Sequence, residues 1–328
     1  MKVWRLTPGG GIEGLTQGEE PDPTPGPGEV VVRVRATSLN YRDLGILRRG
    51  DRPIVPLSDG AGEVVAAGDG VRLEVGARVA GIFMPHWIDG EPTPAFQREA
   101  RGGGSTDGML AEHVVTSAES VVRVPSALSF EEASTLPCAA VTAWNAIEEQ
   151  ARLKPGQSVL LLGTGGVSIF GLQIGVAAGA RTIITSSSDE KLERAKALGA
   201  RDTINYRERE DWERAVLDLT GGRGVDLVLE VGGAGTYAQS LASTRLGGHV
   251  VLIGGLAPVE GASVPMVGRQ HVTRIGVGSR RMFEDLNRAV EVNAIHPVID
   301  RVFEFGEARE AYSYFESQAH VGKVVVRV

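Results

Sequence analysis

From Lys154 to about residue 278, short apolar runs alternate with helical patterns, and this rhythm restricts the fold more than any other feature of the chain. The runs at 158–163, 181–186, 202–206, 225–231, 249–254 and 272–278 are predicted strands. Between them lie helices such as Lys191 to Leu198, which carries Leu192, Ala195 and Leu198 on one face and stops at Gly199-Ala200. Strand and helix in alternation require a parallel sheet, because each return crosses over as a helix. The fold class is therefore α/β, a doubly wound parallel sheet. The first predicted strand runs into Gly163-Thr164-Gly165-Gly166-Val167-Ser168. Gly163 and Gly165 have the spacing of a tight turn and a close-approach position. At the start of a helix such a loop offers backbone N–H groups to a pyrophosphate. Ser168 stands where a third glycine is expected, the position at which helix packs closely on strand. A slight spreading of that packing would accommodate the extra hydroxymethyl group.

The rest of the chain reads differently. Residues 30–35, 62–65, 77–80 and 112–115 are short predicted strands between glycine turns. Met84 to Gly108 is a long polar loop carrying His86, Trp87 and Phe96, candidates for a substrate pocket or for anchors of the loop. Ser129 with Glu132 forms a capping box for a helix reaching about Gln150. The tail returns to helix (283–294), strand (298–305), helix (307–317) and a last strand from Lys323.

Bulk properties narrow the function. A net charge of -7 leaves no broad basic surface for nucleic acid or anionic lipid. No window reaches the roughly 18 apolar residues of a membrane span, and no apolar signal core follows Met1, so a cytoplasmic protein is expected. The one cysteine, Cys138, cannot form an internal disulfide or a multi-cysteine metal cage.

The second strand bears on the choice of nucleotide. An acid at its end would bind bare ribose hydroxyls. Here Thr185 is followed by Ser186-Ser187-Ser188, and Asp189 and Glu190 come later, in what reads as the first turn of the next helix. Ser186, Ser187 and Lys191 suit a 2′-phosphate, and Tyr206 at the end of the third strand could lie against the adenine or reach that phosphate. The expected cofactor is NADP(H). Asp189, bent back toward the ribose, would reverse the preference.

At this point the chain resembles the medium-chain dehydrogenase/reductase superfamily, in its zinc-independent, quinone-oxidoreductase-like branch. The resemblance rests on GEVVVRVRATSLNYRDL (28–44), PLSDGAGEVVAAG (56–68), DGMLAEHVV (107–115), LPCAAVTAWNAI (136–147), the glycine-loop segment 153–180, SSDEKLERAKALGA (187–200) and GGRGVDLVLEVGG (221–233). It implies a doubly wound Rossmann sheet (127–279) inserted into a GroES-like β-barrel catalytic domain (1–126 and 280–328), with the active site in the cleft. It places Asn40 and Tyr41 beside nicotinamide and substrate, and Thr142 against the nicotinamide. Gly232 with Gly233, and Ile253 with Gly254 and Gly255, fall at the cofactor ends of their strands. Lys323 falls where relatives present a basic residue near the pyrophosphate, and a Lys323–Asp43 pair is expected. Zinc-dependent relatives use a cysteine, a histidine and a further cysteine or acid. Those positions are Asn40, Ser58 (beside Asp59) and Cys138, and amide and hydroxyl are poor zinc ligands, so no metal is expected. Cys138 reads as a buried helix residue rather than a nucleophile.

The implied function is a metal-free NADPH-dependent oxidoreductase acting on a small electron-poor acceptor, such as a quinone or an activated alkene or carbonyl. An alcohol dehydrogenase with an unrecognised site, or a nucleotide-binding protein without turnover, stays open. A homodimer joined through the apolar edge strand 272–278 is expected, with Val272, Ile275 and Val277 at the seam.

Overall fold

The computed structural model describes residues 1–49, 52–253 and 270–328. Gly254 and Gly255 lie outside the described residues. The chain forms two compact units, Met1–Val141 with Val277–Val328, and Thr142–Gly276. These divisions fall at 141/142 and 276/277, against the 126/127 and 279/280 read from the sequence.

The second unit carries a six-stranded sheet, parallel at every pairing. Its strands are Ser158–Leu161, Arg181–Ser186, Asp202–Asn205, Val225–Glu230, Thr244–Ile253 and His271–Ile275, in spatial order 3-2-1-4-5-6. The first and fourth strands are buried at every position, as continuous apolar runs covered on both faces must be. Leu160, Ile183, Val228 and Val250 form a core with Trp212 and Val216 of the helix Trp212–Leu219. Strand order reverses at the first strand, so the loop that leaves it opens at the switch point where such sheets bind ligands.

The first unit is built from both chain ends. Its seven-stranded sheet runs Ile299–Glu304, Lys323–Arg327, Glu29–Ser38, Asp59–Ala67, Arg78–Gly81 and Val121–Arg123, with His113–Ser117 also paired to Glu29–Ser38. Alternate valines (Val30, Val32, Val64, Val79, Val121) fill one core. Leu39, Leu44, Tyr312, Phe315 and Val324 belong to another. The capping box forms as expected: Ser129 N donates to Glu132 Oε2 at 2.8 Å, and Glu132 N donates to Ser129 Oγ at 3.1 Å. The loop 84–108 is less open than its polarity suggested. Trp87 is buried, its Nε1–H donates to Gly90 O at 2.9 Å, and its ring stacks on Phe96 in the short helix Pro94–Arg98. His86 is mostly exposed and paired with Glu99 at 2.6 Å. Among the described residues no helix is long and apolar enough to cross a membrane.

Candidate active site

In the second unit, Gly163 takes φ +70°, a conformation that favours glycine, and Gly165 is the N-cap of the helix Gly166–Ala177. Among the described residues no side chain caps that helix, and none has an atom within 4 Å of where a Gly165 Cβ would stand. The first N–H groups thus keep an open approach, the condition for holding a phosphate. Thr164 is buried, and Gly166 and Val167 open the helix. Ser168 does not spread the packing. Its hydroxyl donates to Leu162 O at 2.6 Å, turned back on the strand end. The close approach of helix to sheet is made one and two turns later. A Cβ on Gly171 would stand 2.8 and 2.9 Å from Leu161 and Leu229 methyls, and one on Gly175 would stand 3.1 Å from Thr182 Cγ2.

Gly163 N–H donates to Thr185 Oγ1 at 3.2 Å, which ties the loop to the end of the second strand. Ser186 there is buried, Tyr206 N–H donates to Ser186 O at 3.0 Å, and the Tyr206 ring is partly exposed. Asp189 and Glu190 form the first turn of the helix Asp189–Ala197, with Ser188 as N-cap. Asp189 Oδ1 accepts from Asn205 Nδ2 at 2.8 Å. That bond ties one of the two carboxylate oxygens to the third strand. Ser187 precedes the cap and Lys191 follows in the first turn.

Gly232 and Gly233 follow the fourth strand, and Ile253 ends the fifth. The loop is held by a residue that the sequence reading passed over. Glu230 Oε1 accepts from Gly232 N at 2.8 Å, Gly233 N at 2.9 Å and Thr236 Oγ1 at 2.7 Å, and Oε2 accepts from Ser240 Oγ. Its sequence signal was an acid closing the apolar run Leu227-Val228-Leu229, two residues before a Gly-Gly pair. Thr142 is buried in the helical turn Val141–Trp144.

The first unit gathers a second polar cluster from three distant segments. Ser38 lies opposite both Asp59 and Val325 in the sheet register. Lys323, two residues before Val325, therefore reaches the residues just past Ser38. Lys323 Nζ donates to Leu39 O at 2.7 Å, Asn40 Oδ1 at 2.6 Å and Asp59 Oδ2 at 3.3 Å. Asp59 also accepts from Ser38 Oγ at 3.1 Å and Ser58 Oγ at 3.2 Å. All five side chains in this cluster are buried. Tyr41 begins the helix Tyr41–Arg49 and is 73% exposed.

Two expectations are corrected here. Lys323 pairs with Asp59, not Asp43, because the register sets its amine against the strand Asp59–Ala67. Its three protons are spent on three oxygens inside the unit, which leaves none for a pyrophosphate. Asp43 instead accepts from Asn40 N at 2.7 Å and lies 3.6 Å from Arg42. Burial lifts its carboxyl to about 6 against the opposing pull of Arg42 and the Asn40 N–H. Ser38 was missed outright, since a serine in a strand of alternating valines carries no signal of its own. The edge strand is shorter than expected as well. The edge strand stops at Ile275, and Val277 is buried in the other unit.

The donors at the metal positions do not suit zinc. Asn40 offers an amide and Ser58 a hydroxyl, and burial pushes the Cys138 thiol up, away from the thiolate a metal requires. The oxygens of Asn40 and Asp59 that could face a cation hold the Lys323 ammonium instead. Among the described residues no three His, Cys, Asp or Glu side chains group to hold a metal.

A 3-2-1-4-5-6 parallel sheet with a glycine loop at its switch point, in a chain whose two ends build a separate β-unit, defines a nicotinamide-dependent dehydrogenase or reductase. The family comparisons carry this further. Residues 26–126 match the alcohol dehydrogenase GroES-like domain, and 166–292 match the zinc-binding dehydrogenase family. A zinc-type alcohol dehydrogenase-like protein of Schizosaccharomyces pombe is 45% identical over 92% of this chain and 91% of its own length. A quinone oxidoreductase of Pseudomonas aeruginosa is 31% identical over 97% and 96%. A solved structure of an NAD-dependent alcohol dehydrogenase superposes with a TM-score of 0.89 at 31% identity, covering 100% of both chains. The chain belongs to the medium-chain dehydrogenase/reductase superfamily, in its zinc-independent, quinone-oxidoreductase-like branch, and is an NAD(P)-dependent oxidoreductase.

Proposed function

We propose that this protein is an NADPH-dependent, metal-free oxidoreductase that passes hydride to a small electron-poor acceptor, a quinone or an activated alkene or carbonyl. The observation that carries the reading is the Lys323 ammonium lodged on Asn40 and Asp59, among residues that do not suit zinc. Without a Lewis acid to polarise it, a simple ketone or alcohol is a poor substrate, whereas a conjugated acceptor is already activated. Bound NADPH supplies the hydride. In the balanced reaction, NADPH, the acceptor and one proton from water yield NADP⁺ and the acceptor reduced by two electrons.

The chain's own contribution is position and electrostatics. The N–H groups of 164–167 hold the pyrophosphate, and Gly163, whose own N–H is tied to Thr185, makes the turn that brings them to it. Ser186, Ser187 and Lys191 receive the 2′-phosphate, with Tyr206 beside the adenosine. Gly232, Ile253 and Thr142 border the nicotinamide, and Asn40 and Tyr41 face the acceptor. The bond from Asn205 to Asp189 supports NADPH over NADH, because it directs the nearby acid to the third strand. A structural neighbour named NAD-dependent makes that preference the point most open to test. The reading includes a cytoplasmic homodimer joined along His271–Ile275, an edge strand whose Val272 is 44% exposed.

Steady-state NADPH and NADH oxidation with quinones, enones and aldehydes, alongside metal analysis, tests the whole. Turnover of quinones or enones with NADPH, without stoichiometric zinc, is expected. Chelator-sensitive activity with one equivalent of zinc would overturn the metal-free mechanism. Sedimentation showing a monomer at micromolar concentration would remove the dimer.

A further inference from the structure

We propose that Lys323 is a positioning residue that fixes the Asn40 amide so that Nδ2 donates to the acceptor's oxygen, and that the enzyme therefore requires a quinone or conjugated carbonyl oxygen in its substrate. This rests on the reading above that Asn40 lies in the active site. An amide side chain has a donor end and an acceptor end, and its orientation is assigned from its partners. An ammonium can only donate. The Asn40 atom 2.6 Å from Lys323 Nζ is therefore Oδ1, and Nδ2 is turned away. Nδ2 is buried and has no acceptor among the described residues. Buried polar groups are nearly always satisfied, and those left over call for a partner.

The rest of the cluster is built to hold Lys323 still. Leu39 O and Asp59 Oδ2 take its other protons, and Ser38 and Ser58 hold Asp59. The three N–H donors of Lys323 are taken by Leu39 O, Asn40 Oδ1 and Asp59 Oδ2, so it acts through Asn40 rather than on the acceptor. Its charge also polarises the amide and strengthens the Nδ2–H donor. When hydride adds to the β-carbon of an enone, the C=C electron pair moves toward the carbonyl and charge gathers on oxygen. A preset donor at that oxygen stabilises this charge, and water delivers the proton to the α-carbon. A quinone develops charge on oxygen in the same way. An alkene lacking such an oxygen leaves Nδ2 unsatisfied.

The test uses the whole enzyme with NADPH, 2-cyclohexenone and 1,4-benzoquinone. Asn40→Ala should lower kcat by about 10²–10³-fold, the loss typical of one oxyanion donor, with NADPH affinity unchanged. Because Lys323→Met strands the Asp59 carboxylate, the neutral pair Lys323→Met/Asp59→Asn is measured beside it. Either should lose as much kcat as Asn40→Ala, and adding Asn40→Ala to the pair should cost almost nothing more. A purely structural lysine would give losses that multiply. Side-chain amide NMR supplies a readout independent of turnover. The Asn40 Nδ2 protons, identified by their absence in Asn40→Asp, should exchange slowly in the wild type and fast in the pair. Equal exchange in both, or multiplying losses, would overturn the role of Lys323. If the wild type turns over no acceptor, the functional reading falls while the exchange result still judges Lys323. An Asn40→Ala variant with wild-type kcat would remove the amide from the mechanism and leave the oxidoreductase reading standing.

Discussion

Each compact unit buries an aspartate among cations and hydroxyls, and the two clusters differ in what they leave over. In the nucleotide unit, Asp226 sits at the start of the fourth strand. Its oxygens accept from Ser158 N and Oγ at 2.9 and 3.0 Å, from Arg223 at 2.9 Å and from Arg245 at 2.6 Å. Both carboxylate oxygens are satisfied, and the cluster lies at the strand ends opposite the glycine loop. In the other unit, Asp59 and Lys323 satisfy each other, but the Asn40 Nδ2 donor is turned away and finds no acceptor among the described residues. A saturated network of this kind ties strands together. One with a donor to spare, beside the exposed Tyr41, is the feature on which the role proposed for Asn40 rests.

The sharpest way to break this contrast is to remove the cation from the unsaturated cluster. Lys323→Met leaves Asp59 as a buried, uncompensated charge and should cost about 3–5 kcal/mol in urea unfolding. Adding Asp59→Asn should recover most of that stability without recovering turnover. Stability lost and not regained in the double variant would mean that the lysine stem, and not the charge pair, holds the cluster together.

Asp226→Asn should behave in the opposite sense, with stability lost and turnover kept. Burial raises the Asp226 carboxyl, but the bonds from Arg223, Arg245 and Ser158 outweigh it and bring the value down to about 2. Set against an ordinary value of 3.8, this is about 2 kcal/mol. The folded state binds this proton less tightly than the unfolded chain. The contribution is therefore present above pH 4 and fades as pH falls through about 2. The stability difference between wild type and Asp226→Asn, followed from pH 7 down to pH 2, should shrink accordingly. A difference that stayed constant, or a matching fall in kcat, would erase the distinction between the clusters.

Two smaller effects concern the glycine loop. Ser186→Asp places an acid at the end of the second strand and should weaken NADPH binding about tenfold, or about 1.4 kcal/mol, while NADH binding holds or improves. Equal effects on both cofactors would show that the strand end does not read the 2′-phosphate. Gly171→Ala sets a gain in helix propensity of about 1 kcal/mol against overpacking of about 1–3 kcal/mol. Leu161 and Leu229 are fully buried and have little room to give. A net loss of about 1 kcal/mol is expected in thermal unfolding, with cofactor affinity unchanged. A stabilised variant would return the packing role to position 168.

The nucleotide unit was legible because its information is contiguous. Six apolar runs, the turn at Gly163 and the serines after Thr185 each lie within a few residues, and period and turn chemistry act at that range. Even the packing glycines had a local mark, since Gly171 and Gly175 stand inside a helix where propensity disfavours them. The polar cluster had no such mark. Asn40 and Lys323 are separated by 283 residues, and only the antiparallel register of the last strand against Glu29–Ser38 brings them within 2.6 Å. The resemblance to relatives pointed Lys323 toward Asp43 and the cofactor. The choice of Asp59 instead follows from side-chain direction in a pleated sheet, where one residue of register decides which face, and so which partner, a side chain meets. The chain's sequence thus determined its sheet, its glycine loop and its class of cofactor, while the buried cation and the amide it orients were decided by tertiary pairing alone.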